Sequence, residues 1–262
     1  LCSGASLNIA PVNGVSTIEW FKDGLPLSTA AATGDTLGVL VAGGNGLGSG
    51  ANQFAGNTGI HVDANRILYV VDQGNQRIQK WLPGASSGIT VAGGNGYGSA
   101  ANQFAGPSAI HVDGNGSIYV LDAENQRVQK WLPGATSGIT VAGGNGNGSA
   151  ANQFGFSSYG LFVDNQENIY VSDYENNRVQ KWLPGATSGI TVAGGNGYGS
   201  ASDQLAYPFG IHVDNIGSIY IADNGNRRVQ KWLPGATSGI TVAGGNGNGS
   251  AANQFRWIFG LH

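Results

Sequence analysis

The sequence predicts an all-β ring of four-stranded antiparallel blades, and three observations predict it. The string Gln-Lys-Trp-Leu-Pro-Gly-Ala occurs four times, at 79–85, 129–135, 180–186 and 230–236. Its tryptophans, Trp81, Trp131, Trp182 and Trp232, stand 50, 51 and 50 residues apart. Within each unit, four short β-branched or alternating stretches are separated by Gly, Asn, Asp and Pro, the residues that turns require. No window sustains a 3.6-residue period, so helix content near zero is expected. Four short strands per repeat of about 40–50 residues is the period of a β-propeller blade.

The strands can be placed in order. The innermost strand, A, is expected near 59–63, 109–113, 160–164, 210–214 and 258–262. Strand B follows near 6–10, 67–71, 117–121, 168–172 and 218–222. Strand C is expected at 16–21, 77–82, 127–132, 178–183 and 228–233, and strand D near 37–42, 88–92, 138–142, 189–193 and 239–243. Five of each predict a five-bladed β-propeller forming a single domain over 1–262. Four blades are continuous, at about 58–95, 108–145, 159–196 and 209–246. The other is split, built from 257–262 plus 1–45, so that the C-terminal strand joins the N-terminal blade, closes the ring and leaves no open edge. The first unit is degenerate. Ser6–Trp20 aligns with Ser218–Trp232 without a gap, but Pro11 replaces Asp223 and Ser16 replaces Arg228.

Composition excludes several classes. Glycine accounts for 46 of 262 residues but not every third one, which excludes collagen. Hydrophobic residues reach 40%, enough for a core, so the chain is not a disordered linker. Charged residues are only 10%, against about 25% in average domains, and the net charge is −3 without a basic block. Nucleic acid is therefore not expected as a partner. No apolar run approaches ~18 residues, so no membrane span is expected. The absence of Met predicts a processed product or a fragment. The single cysteine, Cys2, excludes a disulfide-stapled domain and leaves an inert thiol or an intermolecular bridge.

Linked motifs recur in fixed order: Gly-Ile-His-Val-Asp, then Ile-Tyr-Val-x-Asp, then Asn-x-Arg-Val-Gln-Lys-Trp, with Gly-x-Gly-Ser-x-x-Asn-Gln-Phe leading into strand A. Along almost the whole chain these residues resemble the NHL-repeat family. The resemblance implies a β-propeller, commonly of six blades. It also implies a spread of functions: protein docking, RNA binding, ligand sensing and, in an amidating lyase, metal-dependent chemistry.

Several constellations are candidates for sites. Asp72/Arg77, Asp122/Arg127, Asp173/Arg178 and Asp223/Arg228 each sit five apart, so a carboxylate can meet a guanidinium across the B–C hairpin. Repetition in every regular unit points to structural ion pairs, because a catalytic site needs one asymmetric arrangement. Asp63, Asp113, Asp164 and Asp214 end strand A and are expected to cap the A–B turns. The tryptophans are expected to pack between blades, and Trp257 to plug the closing joint.

His61, His111, His212 and His262 share one position on strand A, with Phe162 in the remaining unit. If they face the channel, imidazoles could bind a metal or an anion. The loop tips Leu47, Tyr97, Asn147, Tyr198 and Asn248 are expected to be exposed, and Tyr97, Asn147, Tyr198 and Asn248 are candidate binding residues. Asn115, Asn147 and Asn248 head glycosylation sequons.

No nucleophile–base–acid arrangement stands out. The expected function is a non-catalytic, extracellular structural or interaction module without cofactor. Its repeated loops would serve self-association or multivalent binding to another protein. The alternatives are a lectin-like glycan binder and a metal-dependent enzyme resembling the family's lyases.

Overall fold

The computed structural model describes residues 39–261 and, before residue 39, only the backbone of five short strands. Four consecutive four-stranded antiparallel blades make up most of it, each in sequence order from the innermost strand outward. Blade one comprises β6 (Asn57–Val62), β7 (Leu68–Asp72), β8 (Arg77–Trp81) and β9 (Ile89–Gly93). Blade two comprises β10 (Pro107–Val112), β11 (Ile118–Asp122), β12 (Arg127–Trp131) and β13 (Ile139–Gly143). Blade three comprises β14 (Gly160–Val163), β15 (Ile169–Asp173), β16 (Arg178–Trp182) and β17 (Ile190–Gly194). Blade four comprises β18 (Pro208–Val213), β19 (Ile219–Asp223), β20 (Arg228–Trp232) and β21 (Ile240–Gly244). The only helical turns among the described residues are single 3-10 turns in three of the B–C hairpins.

Blades pack face to face through the alternation that a pleated strand imposes. Trp131 of blade two is buried with Tyr69, Val71 and Ile78 of blade one, and Phe104 from the intervening connector completes the cluster. Trp182 does the same against Tyr119 and Leu121 of blade two. Each indole Nε1 donates to a glutamine two residues earlier, as in Trp131 to Gln129 at 3.1 Å, so its one polar atom is satisfied on burial. The innermost strands are linked in turn: Thr58 Oγ1 donates to Pro107 O at 3.2 Å, and Ser108 Oγ to Ser158 O at 2.8 Å. From the second strand of blade three, Ser172 Oγ donates to Phe209 O, and Gly210 N donates to Phe259 O of the C-terminal segment at 2.9 Å.

Among the described residues there are four complete blades rather than the five expected. In the N-terminal segment, β1 (Ala5–Asn8), β4 (Glu19–Lys22) and β5 (Leu25–Pro26) form a three-stranded sheet. β2 (Pro11–Val12) and β3 (Val15–Ser16) form a separate pair. Their registers, Leu7↔Trp20 and Pro11↔Ser16, match Ile219↔Trp232 and Asp223↔Arg228 of blade four, so the B–C hairpin of the first unit is recognisable. The expected outer and inner strands are not complete. Residues 39–44 join no ladder, residues 257–261 form no strand, and 27–38 lie outside the described residues. The sequence supplies a reason: with Pro11 and Ser16 in place of Asp and Arg, this unit has no clamp to pin its turn to a neighbouring connector. Cys2 and His262 also lie outside the described residues.

Candidate functional site

The described His residues of strand A line the central channel. Pairing His111↔Tyr119↔Lys130↔Ile139 places one row of blade two from the channel to the outer edge. Ring centroids follow one another at 5.1 Å from His61 to His111, 5.2 Å to Phe162 and 5.3 Å to His212. Behind each stands the strand-B tyrosine, and over each tyrosine a strand-C ammonium, as with Lys130 5.1 Å from the Tyr119 ring. These rings form the floor of a cup of about 740 Å³ whose wall carries Asp113, Asp164, Glu167 and Asp214 from the A–B turns. Among the described residues, no group of three or more His, Cys, Asp or Glu is arranged to hold a metal ion. Phe162 interrupts the imidazoles, and one oxygen of each A–B turn aspartate is taken by the turn's own amides, although Asp113 Oδ2 is buried without a partner. The Oδ1 of Asp63, for example, accepts the amides of Asn65 and Ile67, both at 2.9 Å, and Asp113, Asp164 and Asp214 repeat that cap.

Burial, reinforced by neighbouring His61, lowers His111 from 6.5 to about 3, so the channel imidazole stays neutral. On unfolding, His111 regains its ordinary value, and between that pH and about 3 the unfolded chain holds a proton that the folded chain refuses. Stability should therefore fall as pH drops through this window, by at most about 1.4 kcal/mol per pH unit. His111→Phe, the residue blade three carries there, should flatten that slope. Urea titrations at about pH 7 and about pH 4.5 read it, and an unchanged slope would refute it.

The Asp/Arg pairs lie on the opposite face. Arg77 Nε meets Asp72 Oδ2 at 2.7 Å, Arg127 meets Asp122 at 2.8 Å, Arg178 meets Asp173 at 2.8 Å and Arg228 meets Asp223 at 2.7 Å. All four carboxylates are fully buried. Each clamp does more than tie its own hairpin. Arg127 Nη1 and Nη2 donate to Ser99 O, Ala100 O and Gln103 O of the connector entering the blade, and Asn125 donates to Asp122 and Gly98 O. Burial raises the carboxyls of Asp122, Asp173 and Asp223 against these opposing donors. The guanidinium and the carboxylate of each clamp are thus bonded within the blade and its connector.

The loop tips Leu47, Tyr97, Asn147, Tyr198 and Asn248 are exposed, as is Asn115, whereas Ser117 of the Asn115 sequon is buried. Tyr97 donates from its hydroxyl to Glu124 at 2.8 Å.

What sequence reasoning missed is an aromatic face. Just before strand A, Gly56 and Gly106 in the first two blades give way to Phe156, Tyr207 and Trp257 in the units that follow. Two residues on (three in blade three, which has one extra residue), Thr58 and Ser108 give way to Tyr159, Phe209 and Phe259. The structure joins them. Tyr159 stacks on Phe209 at 4.4 Å, and Tyr174, from a B–C turn, stacks on Tyr207 at 4.7 Å. Tyr198 meets Tyr207 at 5.1 Å, Phe209 meets Phe259 at 5.1 Å, and Trp257 lies beside Phe259 with Arg227 4.4 Å over its ring. Trp257 is therefore no plug: it is 62% exposed. The signal was present as departure from repetition at two positions, but only stacked blades show that residues 50 apart become neighbours.

Sheet topology and channel together define a β-propeller of four-stranded blades. The NHL repeat family model matches residues 104–131, from the connector through strand C of blade two. The match covers one repeat, and the strand order of that blade recurs in the three others. Solved structures repeat the fold at low identity. A structure of the nidogen/laminin complex is 16% identical over 98% of this chain and 81% of that one, with a TM-score of 0.65. An auxiliary nutrient binding protein from Bacteroides thetaiotaomicron is 16% identical over 66% of this chain and 46% of that one, at 0.51. Virginiamycin B lyase from Staphylococcus aureus is 10% identical over 73% of this chain and 56% of that one, at 0.50. This chain spans only about half the length of the lyase structures it matches, 51% and 56%. No curated protein matches the chain.

Proposed function

We propose that this propeller is a non-catalytic, extracellular interaction module that associates with copies of itself. The observation that carries the reading is the equivalence of the blades. Each presents one exposed Leu–Ile pair on its outer hairpin: Leu82 and Ile89, Leu132 and Ile139, Leu183 and Ile190, Leu233 and Ile240. Repeated weak contacts of that kind add through multivalency, and a sparse charge opposes little long-range approach. Catalysis is not part of the reading, since the buried Asp/Arg pairs recur from blade to blade and are bonded within them. The exposed sequons at Asn147 and Asn248 fit a secreted chain.

Segments on both flanks pack on the blades as the connectors do: Gly210 abuts the backbone of 259–261 just as Gly160 abuts that of 209–211, and Ala42 is buried against Phe54, Leu68 and Trp81 as Ala92 is against Phe104 and Trp131.

Light scattering from ~1 µM to ~1 mM tests the function. A mass that rises with concentration is expected; a strictly monomeric mass throughout would overturn the reading.

A further inference from the structure

We infer that the aromatic face spanning blade three, blade four and the C-terminal segment is a two-fold docking surface for a second copy of this chain. The inference rests on the self-association proposed above and assigns it to one surface.

The fold itself does not require these rings. Blades one and two fill the equivalent positions with Gly56, Gly106, Thr58 and Ser108 and keep the same sheet order. At Tyr207 the aromatic is disfavoured by the backbone. Its φ is +53°, the left-handed region that Gly56 (+66°) and Gly106 (+58°) occupy at no steric cost. A bulky residue held there marks a position kept for something other than chain geometry. A contiguous exposed aromatic patch on a sparsely charged surface is the ordinary mark of an interface, and Tyr, Trp and Arg are the residues that dominate such contacts.

Ring geometry argues for a protein surface over a sugar. A pyranose needs a free ring face. Tyr159 and Phe209 cover one another, Tyr174 and Tyr207 cover one another, and Arg227 lies over Trp257. Each of these rings thus has one face occupied by a neighbour.

Charge argues for a second copy. Outside the buried clamps, the connectors and B–C turns of this face carry five charged residues between 44 and 257: Glu124, Glu175, Asp203, Arg227 and Arg256. In order around the ring, three acids are followed by two bases. Blades two and three supply Glu124 and Glu175, whereas blade four and the segment after it supply Arg227 and Arg256. The belt thus has an acidic end and a basic end with aromatic rings between. A two-fold axis near Tyr207 and Phe209 turns one copy end for end, setting Arg227 and Arg256 against the acids of its mate. Such an isologous contact is self-complementary and closed, so it ends at a dimer.

Sedimentation velocity on the full chain tests this with four variants. Tyr207→Gly/Phe209→Ser installs the residues blade two already carries. It should leave Tm unchanged or raised while weakening the dimer by about tenfold or more. Glu175→Arg and Arg256→Glu should each weaken it, and the two combined in one chain should restore wild-type affinity to within a few-fold. A well-folded Tyr207→Gly/Phe209→Ser chain that dimerises like wild type would overturn the inference and leave self-association standing on another surface. So would a charge-reversed pair no tighter than its singles, or a glycan-array signal that the aromatic variant loses while its association persists. A wild-type chain monomeric at every concentration would remove the underlying function as well.

Discussion

Arg178→Ala should lower the stability of the propeller by about 3–5 kcal/mol, the range for removing one partner of a buried ion pair. Its guanidinium holds the fully buried Asp173 carboxylate at 2.8 Å and three connector carbonyls besides, Ser149 O, Ala150 O and Gln153 O. Truncation leaves an uncompensated carboxylate and three unpaired acceptors in one place. Arg178→Lys should recover only part of the loss, because an ammonium cannot reproduce the fork. The double variant Arg178→Met/Asp173→Leu should be less harmful than Arg178→Ala, since no buried charge remains. Urea unfolding monitored by tryptophan fluorescence orders the three. An Arg178→Ala chain within about 1 kcal/mol of wild type would mean that water reaches the site and the clamp is not structural.

Trp131→Ala should cost a further comparable amount, about 3–5 kcal/mol, by a different route. Its indole fills the joint between blades one and two against Tyr69, Val71 and Phe104, with ring centroids of Phe104 and Trp131 5.6 Å apart. Removing it leaves a cavity at a joint rather than inside one sheet, and also orphans the carboxamide of Gln129. The strain variant is Gly138→Ala, whose new Cβ would stand 2.5 Å from Trp131 Nε1. It should destabilise through the same contact without a cavity. If Trp131→Ala and Gly138→Ala both left the urea midpoint unmoved, tight packing at the joint would not be what couples neighbouring blades.

Much of this was legible because each legible feature is local. The Asp122/Arg127 spacing lies within one hairpin, the Asp113 cap spans four residues, and the alternation of Arg127 to Trp131 fixes which side chains share a face of the strand. The repeat then places every copy. Facts created by assembling units were not legible. Tyr174, Tyr207 and Phe209 become one surface only once blades three and four stand side by side. The reach of Arg127 into the carbonyls of residues 99–103 joins segments some 27 residues apart. The first unit was over-read for a related reason. Its B–C register survives in the pairing Leu7↔Trp20, but alignment of that hairpin says nothing of the outer strand, and Pro11 and Ser16 had already removed the clamp.

The arginine clamps bear on how such a chain can lengthen or shorten. Each one reaches back to the connector that enters its own blade and no further. A duplicated stretch of about fifty residues, inserted whole, would therefore find familiar donors and acceptors on both flanks and require no new chemistry. Copy number is then limited by the angle through which neighbouring sheets must turn to complete a circle, a constraint that no individual unit encodes.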